Sequence, residues 1–74
     1  MSVRKIRAAN LGEPLRDIEL KSNEEGMTVA QLIERGDLKE RPKGSYIING
    51  IEAKLDSIVR EGDIVISLPP IMSD

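Results

Sequence analysis

The chain has neither cysteine nor histidine, which removes thiol nucleophiles, disulfides, zinc-finger ligand sets and histidine bases together. What remains for chemistry is carboxylates, lysines and one tyrosine, and their spacing matches no catalytic constellation. Asp56, Glu61 and Asp63 come nearest to a cation site, yet they lack calcium-loop spacing and fall where turns are expected. No catalytic residue, metal ligand or cofactor is expected, and the domain itself is not expected to be an enzyme. The segment SLPPIMSD, residues 67 to 74, is a different kind of candidate. Pro69 and Pro70 end strand pairing because proline donates no amide hydrogen, and they form a stiff spacer that projects Ile71, Met72, Ser73 and Asp74 from the domain.

Charge narrows the partners. Eleven basic and 13 acidic residues leave a net charge of −2, and Tyr46 is the single aromatic residue. Such a balance argues against binding nucleic acid by counterion release, and one ring gives no platform for stacking bases. Arg4, Lys5, Arg7, Lys39, Arg41 and Lys43 would make a basic patch only if Asp37 and Glu40 did not interleave them, so a solvated mixed surface is expected. No apolar run approaches membrane-spanning length and the N-terminal MSVRKIRAAN is not a signal peptide, which predicts a soluble, cytoplasmic protein with no membrane partner.

The elements that must position the C-terminal segment follow from periodicity. SVRKIRAA, residues 2 to 9, alternates loosely and predicts a strand; LGEP turns the chain, and LRDIELK returns it with Ile18 and Leu20 on one face. In MTVAQLIERG, Thr28 followed by Gln31 is a capping box, Met27 can staple onto Leu32, and Val29, Leu32 and Ile33 form one apolar face. A helix is predicted over roughly 28 to 36, closed by Gly36. RGDLKERPKG is a connecting loop, and SYIINGIEAK is a hairpin about Asn49-Gly50, the dipeptide best suited to a type I′ turn. LDSIV suggests a brief helical turn, and Glu61-Gly62-Asp63 then leads into a final strand, IVISL. On that strand Ile64, Ile66 and Leu68 share one face and Val65 and Ser67 the other. Residue types alone put the three-residue stripe in the core.

Seventy-four residues allow one small core, since a chain of this size buries only about 60% of its unfolded surface. The pattern predicts a single α+β domain over 1–74, with 69–74 as a projecting tail. Its mixed sheet has four or five strands and one helix packed on one face. Pairing the last strand beside the first makes the sheet of the β-grasp kind. Ile6, Ile18, Leu20, Val29, Leu32, Ile33, Ile48 and Val65 are the expected core of a monomer.

TVAQLIE at 28–34, INGIE at 48–52, REGDIVI at 60–66 and the Pro-Pro at 69–70 occur in the order and spacing of the ubiquitin-like sulfur carriers of thiamine and molybdopterin biosynthesis, which the chain resembles over about residues 27–72. The resemblance implies a β-grasp fold whose C-terminal tail enters a partner's active site. It also implies a register in which Val65 and Ser67 turn inward and Ile64, Ile66 and Leu68 lie on the open face of the sheet, where a contiguous apolar stripe is a partner-binding patch. In those carriers the tail ends in Gly-Gly, and its carboxylate is adenylated by an activating enzyme and converted to a thiocarboxylate. Here Ser73 and Asp74 stand at the two glycine positions. Their side chains oppose entry into a narrow channel, and Asp74 adds negative charge where a nucleotide must approach. The reading that follows is a non-catalytic protein-binding module that uses Ile64, Ile66, Leu68, Pro69, Pro70, Ile71 and Met72 toward a protein partner. The alternative is a sulfur carrier activated by an adenylating activase or held by a synthase-like subunit.

Overall fold

The alternation at the N-terminal end is a strand in the computed structural model, which describes residues 4–21 and 24–70. Strand β1 (Lys5–Asn10) turns Ile6 and Ala8 into the core and extends to Asn10, beyond the expected end at residue 9. β2 (Arg16–Glu19) pairs with it antiparallel, placing Ile6 opposite Ile18. The NG hairpin forms as expected: β4 (Ser45–Ile48) and β5 (Ile51–Ala53) pair antiparallel about Asn49 and Gly50, whose φ angles of 52° and 83° are those of a type I′ turn. The last strand, β7 (Ile64–Leu68), runs parallel to β1 on one side and antiparallel to β4 on the other. The result is a small α+β domain whose mixed five-stranded sheet has the order β2-β1-β7-β4-β5, with β7 at its centre.

The helix, α1 (Val29–Glu34), is shorter than the expected span, because Thr28 caps it and Arg35 and Gly36 close it. Six residues do not hold a helix unaided. Its orphan amides are all met: Val29 N–H donates to the Ser57 carbonyl at 3.1 Å, Ala30 N–H to the Leu55 carbonyl at 3.0 Å, and Gln31 N–H to Thr28 Oγ1 at 3.1 Å. Gln31 Oε1 accepts in return from Thr28 N–H at 2.9 Å, which completes the capping box. Thr28→Ala removes one half of this pair and is expected to cost about 0.5–2 kcal/mol. A urea titration reading far-UV dichroism measures the shift in midpoint.

Two carbonyls reach the helix because of a feature the sequence reading did not contain. β3 (Gly26–Thr28) and β6 (Ile58–Arg60) form a separate antiparallel ribbon, with Met27 opposite Val59. The segment LDSIV is therefore not a helical turn: Leu55 and Asp56 turn the chain, and Ile58 begins a strand. The ribbon joins the helix's entry to the 55–57 turn.

Of the expected core, Ile6, Ile18, Leu20, Val29, Leu32 and Val65 are buried, whereas Ile33 and Ile48 are partly buried and pack against the core from its margin. Ala8, Met27, Leu38, Tyr46 and Val59 complete the core. Leu38 comes from the charged connecting loop, and Tyr46 holds that loop down, its hydroxyl accepting from Arg41 N–H at 2.8 Å and donating to the Lys39 carbonyl at 3.4 Å. Among the described residues no helix is long and apolar enough to cross a membrane.

Candidate functional site

The register of β7 is decided by its neighbours. Val65 and Ser67 are fully buried on the helix side, opposite Ala8 and Asn10 of β1, whereas Ile64, Ile66 and Leu68 are half-buried on the opposite, open face. The stripe is thus not core, against the expectation from residue types alone. A buried serine is tolerable because its hydroxyl has a partner: Ser67 Oγ donates to Asn10 Oδ1 at 2.5 Å. The same oxygen accepts from Lys39 N–H at 2.9 Å, and Asn10 Nδ2 donates to Glu13 Oε1 at 3.4 Å. That hydrogen bond is the chief cause holding the Glu13 carboxyl below its ordinary range, with Lys39 adding to it against a desolvation cost. Asn10 therefore ties β7, β1 and the 35–44 loop together.

On the open face the stripe does not stand alone. Ile66 lies between Ile47 of β4 and Ala9 of β1, and Leu68 is opposite Ser45. Leu11, whose N–H donates to the Ser67 carbonyl at 2.9 Å, is 57% exposed at the end of β1, and Leu15 is exposed just before β2. Charged residues border the apolar rows: Arg7 faces Asp17 at 3.7 Å, Lys5 is opposite Glu19, and Glu52 is opposite Ile47. Pro69 and Pro70 follow directly from Leu68 and are exposed. Ile71, Met72, Ser73 and Asp74 lie outside the described residues.

Of the remaining sequence candidates, Asp63 is absorbed by local structure. Asp63 caps its turn, accepting from Arg60 N–H at 3.0 Å and from Asn49 Nδ2 at 2.9 Å, and these bonds hold its carboxyl below the usual range. Asn49 does more than turn the chain, because its Oδ1 also accepts from Ile64 N–H at 3.0 Å and so fixes the start of β7. Of the basic candidates, Arg7 is matched by Asp17 at 3.7 Å and Lys39 by Glu13 at 3.4 Å. Sequence reading missed Ile47, Ala9 and Leu11 as parts of the open face, since only strand order brings them beside β7. No protein-family model matches the chain, and no curated protein matches it.

Proposed function

We propose that this protein is a non-catalytic protein-binding module of the ubiquitin-like β-grasp kind, which engages a protein partner through the open face of its sheet and the segment that follows β7. The observation that carries the reading is the row of half-buried apolar residues Ile47, Ile64, Ile66 and Leu68 on the face away from the helix, with Ile66 beside Ala9, which is itself only 3% exposed. The parallel β1–β7 pair at the centre of a mixed sheet with a helix across one face supports the β-grasp assignment. A second reading, a sulfur carrier of the thiamine and molybdopterin type, draws on the same surface, because β7 leads straight from the stripe into exposed Pro69 and Pro70.

Affinity capture followed by amide-shift mapping with the captured partner tests the module. Shifts are expected on Ile47, Ile64, Ile66 and Leu68, and Ile47→Asp with Ile66→Asp should weaken binding about tenfold or more by setting two charges in a desolvated contact. Shifts confined to α1 and the 35–44 loop would sink the proposal. Incubation with an adenylating activase, ATP and a sulfur donor separates the second reading: a C-terminal thiocarboxylate adds about 16 Da through acyl-transfer chemistry, and finding it on the unaltered chain would make the carrier reading primary.

A further inference from the structure

The helix is too short to cover the β5 end of the sheet, and the uncovered space is a groove of about 790 Å³ that runs along the helix side and over the sheet edge as far as Ser45 and Glu52, within the size range of binding sites. Ala30, Ile33, Tyr46, Ala53 and Leu55 give it apolar walls, and Leu55 remains 52% exposed. β5 has β4 as its one neighbour among the described strands, so its other edge is bare along the groove. In a ladder closed by a two-residue turn, the pairs Ile48–Ile51 and Tyr46–Ala53 exchange hydrogen bonds. Glu52 between them turns its N–H and C=O to the free edge. A bare strand edge beside an apolar groove is the arrangement that accepts an extended peptide as an added strand.

We propose that β5 and this groove bind an extended segment of a partner protein in which apolar and basic residues alternate. The strand period dictates the alternation. Side chains on the helix side of an added strand enter the groove, whose walls are apolar, while those between them emerge on the open face beside the Glu52 carboxylate. At the groove's helix and loop margin stand Glu34 and Glu40, whose carboxylates have no hydrogen-bond or ion-pair partner among the described residues, and with Glu52 on the β5 edge they make three acids in the lining against the two cations Arg41 and Lys54. This groove lies away from Ile47 and Ile66, the central residues of the open-face proposal, and Glu52 borders both surfaces.

The test titrates the isotopically labelled natural protein with acetylated, amidated hexapeptides, one alternating lysine and valine and one alternating glutamate and valine. The lysine peptide is expected to shift the amides of Ala30, Ile33 and residues 51–55, and to bind roughly fivefold more tightly than the glutamate peptide, as expected for opposed charges across strands. Glu52→Lys should reverse that preference. The segment adds antiparallel to β5, so the residue opposite Glu52 exchanges both main-chain hydrogen bonds and shares its face, which makes it a lysine. Methylating the lysine backbone amides should therefore abolish binding, while methylating the valine amides should leave it. Equal binding of both charges, indifference to lysine-amide methylation, or the absence of shifts at the groove would each overturn the proposal.

Discussion

Leu32→Ala is expected to lower the stability of the domain by about 2–5 kcal/mol, the range for deleting most of a buried leucine side chain. Leu32 is fully buried, and it is one of only two helical residues that are. A six-residue helix has little propensity to draw on, so it stays folded because Val29 and Leu32 anchor it to the sheet. The loss should also spread, because the Leu32 carbonyl accepts from Asp37 N–H at 2.9 Å at the exit from α1, next to buried Leu38. For a chain of this length total stability is on the order of 4–11 kcal/mol at 0.05–0.15 kcal/mol per residue, so the variant sits near the edge of folding. Urea unfolding measures the effect, with Leu11→Ala as the control. Leu11 is 57% exposed and its truncation should stay within about 0.5 kcal/mol. A loss below about 1 kcal/mol for Leu32→Ala would mean that α1 does not anchor the core.

The helix was legible because its signals are local: Thr28 and Gln31 are three residues apart, and the apolar face repeats within one turn. Asn49-Gly50 was legible for the same reason. The β3–β6 ribbon was not, since three-residue strands are too short for a period to show and Val59 is the single inward side chain of β6. Nor can residue types set the face of β7. Three branched apolar side chains favour burial over a valine and a serine, and the observed choice depends on Asn10, 57 residues earlier, to satisfy Ser67. The stripe of the candidate site could be read from IVISL, but its extension across Ile47 and Ala9 is a property of the strand order. The groove beside β5 had no sequence signal, because it arises from what α1 leaves uncovered.

Gly44→Ala is expected to be the most damaging of the glycine substitutions outside the ribbon, although nothing in its backbone angles demands glycine. Its φ is not positive; what it lacks is room. A Cβ at residue 44 would fall well inside contact distance of the Leu68 carbonyl oxygen and 2.7 Å from Arg41 Cβ. Both neighbours are fixed, Arg41 by the turn in which its carbonyl accepts from Gly44 N–H at 2.9 Å, and Leu68 by pairing opposite Ser45. Neither obstacle is the free end of a side chain, so either the 41–44 turn lifts or the end of β7 moves, at a cost of about 1–3 kcal/mol or more for overpacking. Gly36→Ala is the comparison: φ there is 84°, but an added Cβ meets nothing within 4 Å, so only the backbone penalty of about 1 kcal/mol applies. Amide shifts should separate the two, those of Gly44→Ala running through Ser45, Leu68 and Pro69's neighbours and those of Gly36→Ala staying near the end of α1. Because Leu68 closes the open-face stripe and leads into Pro69 and Pro70, the displaced end of β7 should also weaken the partner binding proposed for that face, whereas Gly36→Ala should leave it intact. Equal stability loss in the two variants, with β7 undisturbed, would show that Gly44 does not set the direction in which the chain leaves the sheet.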